Sequence, residues 1–211
     1  MSTLKGDLRR LEEHYAALFV EHGDTAAAVQ QRDRETQERR MRRLCEIGDV
    51  SQAQVLDFGC GSGHLLSVLR SEFGFSGAYV GYDLSEPHLA AGRLKFPDAT
   101  FERRDIFEQG IDRTVGYVMI SGVFNNRMTD NWGFMTAALE RLYGAATEGV
   151  AFNCLSTYVD YEDPNLYYAD PREVFDFCKR RLSPFVNLRH DYRIKPNVIP
   201  FEFTVYVYRD R

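Results

Sequence analysis

The residues that bear most directly on chemistry lie at positions 55–63, where an apolar run, an acid and a set of glycines follow one another. Asp57 comes near the end of the run, and Gly59, Gly61 and Gly63 occupy alternate positions after it. A strand that ends in glycines and opens a helix lets a nucleoside-type cofactor contact the backbone. A carboxylate here would repel a pyrophosphate, so the pattern favours a cofactor that carries positive charge and no phosphate.

Two further acids follow predicted strands. Asp83 ends a strand predicted at 78–83, about twenty residues after the glycine turn, where a carboxylate accepts hydrogen bonds from ribose hydroxyls in sheets of this type. It would also repel a 2′-phosphate, which disfavours NADP. Asp105 follows a strand predicted near 100–104. The alternative for each acid is that it only caps the next helix or lies on the surface.

With these motifs the chain resembles the class I S-adenosylmethionine-dependent methyltransferases, in their bacterial small-molecule type. The resemblance covers about residues 50–155. It implies S-adenosyl-L-methionine as the cofactor, in contact with Asp57, Gly59, Cys60 and Gly61. The carboxylate would suit the sulfonium and ammonium groups, which are both cationic. A cysteine inside the turn is a common small filler in this class and is not needed as a nucleophile.

The resemblance also implies a role for each residue at the ends of the later strands. Asp83 would accept both ribose hydroxyls, and Leu84 would pack on one face of the adenine. Asp105 would accept a hydrogen bond from the adenine amine, and the backbone N–H of Ile106 would reach a ring nitrogen. Ser121 would leave room for the methylthio group. The Asn/Asp-Pro-Pro-aromatic motif of adenine-methylating enzymes does not follow this strand, which counts against base methylation.

Residues 1–47 are predicted to form a helical cap over the methionine end of the cofactor. Arg34 or Gln37 is expected to point inward and hold the cofactor's carboxylate, and Tyr15 could line the same lid. The alternative for the arginine-rich stretch is a solvated helix face with i,i+4 ion pairs. The alternative for Tyr15 is a core position, because a Leu/Tyr stripe at helical spacing is more often core.

The candidates for catalysis and acceptor binding carry weaker signals. His190 is the one histidine considered as a base, and Asn125 follows the fourth strand, where it could hydrogen-bond a substrate. Segment 156–170 is rich in aromatic rings with polar tips, which suit a small-molecule pocket. The alternative is a surface loop that packs on its own rings. Its tyrosines are Tyr158, Tyr161, Tyr167 and Tyr168, and Tyr158 is considered for catalysis beside His190 and Asn125.

The elements that must position these residues alternate between strand and helix, which predicts an α/β fold. We expect a Rossmann-like doubly wound sheet of about seven strands, mostly parallel, with an antiparallel last hairpin and an N-terminal helical cap. The chain is predicted to be one domain, 1–211, with the cap at 1–47, the cofactor-binding core at 50–155, and a substrate-side loop, helix and closing hairpin at 156–211. Strands are predicted at 54–58, 78–83, 100–104, 117–121, 150–155, 186–193 and 201–208.

Composition excludes several other classes of protein. The net charge of −5 and the pI of about 5.6 argue against nucleic-acid binding, which relies on clustered Lys and Arg. No apolar run approaches the roughly 20 residues of a membrane span. The histidines and the four scattered cysteines lack metal-ligand spacing, so no metal is expected. We therefore expect a reduced, cytoplasmic protein, monomer or homodimer, that partners a small-molecule substrate.

The sequence thus predicts methyl transfer to a small-molecule acceptor by in-line displacement, with oxygen as the first expectation for the acceptor atom, nitrogen the second and carbon the third. One alternative is a protein or peptide methyltransferase with an open groove. Another is a non-catalytic protein that binds S-adenosylmethionine. An NAD(P)-dependent oxidoreductase is disfavoured by Asp57 and by His64, which replaces the third glycine of the Gly-x-Gly-x-x-Gly pattern.

Overall fold

The computed structural model describes residues 2–210, and it confirms the predicted α/β fold around one seven-stranded sheet. The strands are β1 (Gln54–Phe58), β2 (Ala78–Asp83), β3 (Thr100–Arg103), β4 (Val115–Ile120), β5 (Ala146–Leu155), β6 (Val186–Arg189) and β7 (Glu202–Tyr208). Their order in the sheet is β3-β2-β1-β4-β5-β7-β6.

Six α-helices flank this sheet. They are α1 (Ser2–His22), α2 (Arg34–Cys45), α3 (His64–Glu72), α4 (Glu86–Lys95), α5 (Asn131–Ala145) and α6 (Pro171–Phe177), and a π-helical turn (Cys178–Leu182) extends the last. Short 3-10 turns lie at Ala26–Val29 and Val123–Asn125. Aspartate side chains cap three of the helices by accepting a backbone N–H of the first turn. These caps are Asp33 on α2, Asp130 on α5 and Asp170 on α6.

Strand pairing brings the predicted motifs to one edge of the sheet. β1 lies between β2 and β4 and is parallel to both. The carboxyl ends of these three strands therefore meet, which places the glycine turn, Asp83 and Ser121 beside one another. β7 lies between β5 and β6 and is antiparallel to both, so the predicted antiparallel hairpin is confirmed.

Two strand boundaries, of β5 and β6, differ from the prediction by four residues each, whereas those of β3, β4 and β7 differ by one or two. β5 begins at Ala146 instead of 150, because α5 ends at Ala145 and the chain enters the sheet at once. β6 ends at Arg189 instead of 193. After it the chain leaves the sheet and packs against α2, where Arg39 Nη1 donates to the carbonyl of Ile194 at 3.3 Å.

Alternate residues of each strand pack into two hydrophobic layers, one on each face of the sheet. In β4, Val118 and Ile120 join the layer formed with α5, whereas Met119 joins the layer formed with α2 and α3. The sheet is thus covered on both faces, as strands of a parallel sheet require.

Polar side chains hold α1 against the body of the protein. Asp7 is 4% exposed and accepts hydrogen bonds from Thr129, from its N–H at 2.8 Å and from Oγ1 at 3.2 Å. Further along the helix, Glu12 pairs with Arg103 at 2.8 Å. α1 therefore lies across the carboxyl edge of the sheet, above the predicted site. Among residues 2–210, no helix combines the length and apolar character that a membrane crossing needs.

Candidate functional site

A cavity opens at the carboxyl edge of β1, β2 and β4 and is roofed by α1, the first 3-10 turn and α2. Its floor is the glycine turn and the ends of the three strands. Most of the predicted cofactor residues line it, from both floor and roof. They are Tyr15, Arg34, Gln37, Asp57, Gly59, Cys60, Gly61, Asp83, Leu84 and Ser121.

The turn after β1 takes a backbone conformation that favours glycine. Gly59 and Gly61 have φ of 77° and 53°, in the left-handed region that other residues rarely adopt. The backbone N–H of Gly59 donates to the carbonyl of Tyr82 at 2.8 Å. A Cβ on Gly59 would lie only 2.3 Å from Cγ2 of Val123. The turn is therefore fixed on β2 and presses on the segment that follows β4.

Asp57 brings a buried carboxyl to the cavity. It is 2% exposed and accepts a hydrogen bond from the Tyr79 hydroxyl at 2.6 Å. Burial raises the pKa of Asp57 to about 7, although the hydrogen bond from Tyr79 opposes this shift. A cation that enters the cavity would favour the charged carboxylate. The residue thus suits a positively charged ligand.

Asp83 joins the glycine turn to the start of α4. Its Oδ2 accepts from the N–H of Gly61 and its Oδ1 accepts from the N–H of Ser85, both at 2.8 Å. A carboxylate has about four lone-pair sites, so two of them remain for ribose hydroxyls. The capping role and the predicted ligand role of Asp83 are therefore compatible.

The cavity has an apolar side next to Leu84. Leu8 and Leu11 of α1 and Phe134 of α5 line the cavity together with this residue and belong to the same hydrophobic cluster. Sequence reasoning treated the leucines of α1 as an ordinary helical stripe and missed that two of them roof the site. The flat apolar space between them suits a planar base.

Asp105 and Ile106 do not line the cavity. The Oδ1 of Asp105 accepts from the N–H of Phe107 at 2.8 Å, and Ile106 is 2% exposed. Their predicted adenine contacts stay predictions. The neighbouring Arg104 does line the cavity, and its buried Nε has no hydrogen-bond partner among residues 2–210.

The loop before the first 3-10 turn is fixed to the glycine turn. Asp24 accepts hydrogen bonds from the hydroxyl of Ser62 and, at 3.0 Å, from the ammonium of Lys95. Ser62 lies inside the glycine turn, and Lys95 ends α4. The roof is thus attached directly to the motif that it covers.

Tyr15 attaches the roof to the β4 side as well. Its hydroxyl accepts a hydrogen bond from Asn126 Nδ2 at 2.6 Å. Burial raises the pKa of Tyr15 to about 12, so the hydroxyl stays protonated at physiological pH. Tyr15 thus lines the cavity from α1, and its predicted role in a lid stays a prediction.

Arg34 and Gln37 both reach the cavity from α2, Gln37 as a buried residue and Arg34 as an exposed one. α2 is held in place by Glu38, whose Oε1 lies 3.0 Å from Nε2 of His64. Burial lowers the pKa of His64, while Glu38 opposes that shift. His64 therefore connects the cap with α3.

The three catalytic candidates lie outside the lining of the cavity. His190 packs between Tyr158 and Phe203, with ring centroids 5.9 Å away in each case. Burial lowers the pKa of His190, and its buried Nε2 has no partner within residues 2–210. Tyr158 is 54% exposed. Asn125 comes nearest to the site, since it belongs to the 3-10 turn after β4.

The tyrosine-rich segment runs beside the site without lining the cavity. The N–H of Tyr167 donates to the carbonyl of Asn125 at 2.8 Å, and Tyr161 is 74% exposed. The hydroxyl of Tyr168 accepts from the N–H of Asp163 at 3.1 Å. The segment thus supports the turn after β4, and the hydroxyl of Tyr168 is used in a contact within the segment itself.

Cys60 is the cysteine in the lining of this cavity. Cys60 is buried, and burial raises the pKa of its thiol well above the usual range. Its sulfur would lie 2.6 Å from a Cβ on Gly81, so it fills the space that this glycine leaves. Across the described residues 2–210, no group of three or more His, Cys, Asp and Glu side chains is arranged to bind a metal.

These residues together fit S-adenosyl-L-methionine. The carboxyl of Asp57 matches a cationic group, the carboxylate of Asp83 matches a diol, and the space beside Leu84 matches a base. The unpartnered Nε–H of Arg104 matches an acceptor atom such as a ring nitrogen. The fit rests on the chemistry of the lining and on the backbone approach that Gly59 and Gly61 allow.

Comparisons with known proteins agree with this geometry. A family model described as "Methyltransferase domain" matches residues 49–170. The Mycobacterium tuberculosis protein named "Putative methyltransferase Rv1506c" is 39% identical over 157 residues, which are 72% of this chain and 90% of the relative.

Solved methyltransferase structures share the fold. A DhpI-SAM-HEP complex superposes with a TM-score of 0.61 at 18% identity and covers 99% of this chain and 97% of its own. The plantazolicin methyltransferase BpumL, in complex with a triazolic desmethylPZN analog and SAH, gives 0.62 at 13% identity, with coverage of 97% and 98%.

Proposed function

The chain belongs to the methyltransferase-domain family and is an S-adenosyl-L-methionine-dependent methyltransferase of the class I fold, and from this premise we propose that its acceptor is a small molecule. Oxygen is the first choice of acceptor atom, before nitrogen and carbon. The observation that carries this proposal is the roof over the cavity, which α1, the first 3-10 turn and α2 form together.

The roof favours a small acceptor because it is attached on two sides. Asp24 fixes it to Ser62 in the glycine turn, and Tyr15 fixes it to Asn126 after β4. A protein substrate would need an open groove between these attachments. A small molecule can enter beside them and be enclosed, which also excludes water from the reaction.

Each part of the lining would hold a different part of the cofactor. Asp57 would face its cationic groups, Asp83 its ribose hydroxyls, and Leu84 with the leucines of α1 its base. Arg34 or Gln37 would hold its carboxylate. When bound, the cofactor supplies a methyl group on a positively charged sulfur, which is a strong electrophile.

Catalysis would then rest mainly on positioning. Holding two reactants in line can remove roughly 7–11 kcal/mol of a barrier. A base is needed only if the acceptor must lose a proton. The structure leaves His190 and Tyr158 outside the lining, so neither is required in the proposal.

The proposal is tested by methyl-labelled cofactor and two acceptor pools. The protein is incubated with a fraction of metabolites below about 1 kDa and, separately, with the macromolecular fraction. Label should appear in small products only, and Asp83→Ala should reduce it. Label that appears only in polypeptide would replace the proposal with protein methylation. Binding of cofactor without label in either pool would favour a non-catalytic protein.

A further inference from the structure

Two amide side chains open onto the same space beside Gly122, the residue that precedes the 3-10 turn after β4. A Cβ on Gly122 would lie 3.8 Å from Nδ2 of Asn125 and 3.9 Å from Nε2 of Gln31. Gly122 has φ of 73°, carries no side chain and lines the cavity. Both nearest atoms are hydrogen-bond donors.

The orientation of Gln31 is set by Arg40. Nη1 of Arg40 donates to Oε1 of Gln31 at 2.7 Å. A guanidinium has only donors, so the amide must present its oxygen to Arg40 and its NH₂ elsewhere. Gln31 lines the cavity, and its Nε2 has no partner among residues 2–210.

The orientation of Asn125 is set in the same way. The backbone N–H of Leu155 donates to Oδ1 of Asn125 at 3.2 Å. A backbone N–H requires an acceptor, so the NH₂ of this amide turns to the other side. Within residues 2–210 it too has no partner. The two amides therefore form a donor pair beside Gly122, with Gln31 in the lining of the cavity and Asn125 next to that lining.

A buried polar chain supports this donor pair. Arg40 Nε donates to Glu202 Oε2 at 2.6 Å, and their side chains are 8% and 1% exposed. Glu202 Oε1 accepts from Asn153 Nδ2 at 3.0 Å, and Asn153 Oδ1 accepts from the N–H of Gly122 at 2.7 Å. The chain runs from Gln31 back to Gly122. Burying an ion pair rarely adds stability, so its geometry points to a positioning role.

Resting on the proposed function, we propose that Gln31 and Asn125 bind a carboxylate on the acceptor substrate. The pair offers N–H donors and no acceptor, which suits an ionised oxygen and not an ammonium. The position of the pair also suits an acceptor. Val123, which follows Gly122 in the chain, contacts the glycine turn at Gly59. Arg40, Glu202 and Asn153 are then positioning residues for this site.

Methyl transfer to a carboxylate needs no base, because the attacking oxygen is already ionised. One oxygen is held by the amides, and a lone pair of the other oxygen attacks the methyl carbon. The new C–O bond forms as the C–S bond breaks, and the sulfur leaves with its electron pair as a neutral thioether. The acceptor becomes a methyl ester, and no proton has to move.

The experiment uses the full ¹⁵N-labelled chain saturated with S-adenosylhomocysteine. Benzoate, benzamide and benzylamine are titrated in turn, and the side-chain NH₂ signals of Gln31 and Asn125 are followed by NMR. Benzoate should shift both signals and bind more tightly than benzamide, while benzylamine should shift neither. If benzoate leaves both signals unchanged, or if benzamide binds more tightly, the proposal is overturned.

Isosteric variants identify which ligand the pair serves. Gln31→Glu keeps an oxygen for Arg40, Asn125→Asp keeps one for Leu155, and each replaces the free donor with an oxygen. Each variant should lower the affinity for benzoate by at least about tenfold. The affinity for S-adenosylhomocysteine should stay within about twofold of the wild-type value. The matched control is Gln52→Glu, at an exposed position before β1 and outside the cavity lining, which should leave benzoate binding unchanged.

Failure of this inference can be told apart from failure of the proposed function. If the variants lower the affinity for S-adenosylhomocysteine as much as the affinity for benzoate, the two amides bind the cofactor's own carboxylate and the inference is wrong. If the wild-type protein does not bind S-adenosylhomocysteine at all, the proposed function fails first. That binding is measured before any benzoate is added.

Discussion

Burial raises the pKa of the Asp57 carboxyl to about 7, well above the value of about 3.9 for an exposed aspartate. Between these values the folded protein binds more protons than the unfolded chain. The free energy of unfolding contributed by this group therefore falls as pH rises through that window. At higher pH the Asp57 carboxylate is charged and accepts the hydrogen bond from the Tyr79 hydroxyl, so it can attract a cationic ligand.

Asp57→Asn should therefore change the stability of the protein and its affinity for the cofactor in opposite directions. The amide oxygen can still accept from Tyr79, and no charge is buried, so the melting temperature should rise at pH 8 and change little at pH 4. Affinity for S-adenosylmethionine should fall by about 10- to 100-fold at pH 8, as for loss of a charged hydrogen bond. Calorimetry and thermal unfolding measure both, with exposed Asp160→Asn as the control.

The same residue predicts a pH dependence of binding. The charged carboxylate attracts the cationic cofactor, so wild-type affinity for S-adenosylmethionine should increase as pH rises from 6 to 8. The curve should flatten above the pKa of about 7. In Asp57→Asn this dependence should disappear. A wild-type affinity that falls with pH would show that Asp57 does not face the cofactor's positive charge.

Asp83 supports a second prediction at this scale. Asp83→Ala removes the acceptor for Gly61 and, in the proposal, for the ribose hydroxyls. Binding of S-adenosylhomocysteine should weaken by about 1.5–3 kcal/mol, the scale of hydrogen bonds to a charged group. Asp98→Ala is the control, because Asp98 pairs with Arg70 on the surface. Unchanged affinity in Asp83→Ala would leave Asp83 as a helix cap only.

At the scale of elements, α1, the first 3-10 turn and α2 cover the site. The cavity holds about 170 Å³, less than the roughly 300–1,000 Å³ of ligand pockets in general. The roof must therefore shift to admit a nucleoside cofactor and an acceptor together. The roof is held at Tyr15 and Asp24. It is also held at Asp7, Glu12 and Arg40, so a shift has to exchange some of these bonds for contacts with the ligand.

We expect S-adenosylhomocysteine to slow hydrogen exchange across residues 14–40. The ligand would add contacts to α1 and α2 and hold the roof closed. Tyr15→Phe removes the bond to Asn126, so exchange in this segment should be faster in the bound state of the variant. The β6 amides, at 186–189, serve as the internal reference. Equal exchange with and without ligand at 14–40 would rule out the lid.

Arg40 and Glu202 couple α2 to β7 inside the protein. Burial raises the pKa of Glu202, and the guanidinium of Arg40 opposes that shift. Arg40→Met alone would leave a buried acid without its cation, so it should destabilise by about 3–5 kcal/mol. Arg40→Met with Glu202→Gln should recover much of that loss. Urea unfolding of both single variants and the double variant measures the coupling, and additive effects would contradict it.

The sequence could predict the floor of the site because its signals are local. The glycines of the turn and the acids Asp57 and Asp83 follow their strands directly, and parallel pairing brings strand ends together. Alternation of strands and helices likewise predicted the sheet, and the absence of a helix between the last two strands predicted the final hairpin. Each of these signals depends on residues a few positions apart.

A helical roof over the site was predicted, but the long-range contacts that support it were not predictable by the same route. Arg40 and Glu202 lie 162 positions apart, and only folding makes them partners. Composition favoured the tyrosines of 156–170 as the acceptor pocket, but Tyr167 is committed to the turn at Asn125 through its backbone. A polar aromatic segment can support a site as well as line it, and composition alone does not distinguish these roles.

At the scale of the whole molecule, the site joins parts of the chain that otherwise pack separately. α1 and α2 supply the roof, β1, β2 and β4 supply the floor, and β7 supplies Glu202 beneath the donor pair. A ligand that contacts roof and floor at once binds only the folded arrangement. Its binding free energy is therefore added to the free energy of unfolding of the protein.

This linkage predicts a thermal shift that identifies the cofactor class. At 100 times its dissociation constant, S-adenosylhomocysteine should add about 2.7 kcal/mol of stability. For a chain of 211 residues that corresponds to a melting temperature higher by roughly 5–10 °C, at about 2–4 °C per kcal/mol. NAD at the same concentration should leave the melting temperature unchanged, because the carboxylates at Asp57 and Asp83 oppose its pyrophosphate. Asp83→Ala should need a proportionally higher concentration of S-adenosylhomocysteine to reach the same shift. A larger shift with NAD would reverse the assignment of the cavity, since it would mean that the glycine turn accepts a pyrophosphate beside two acids.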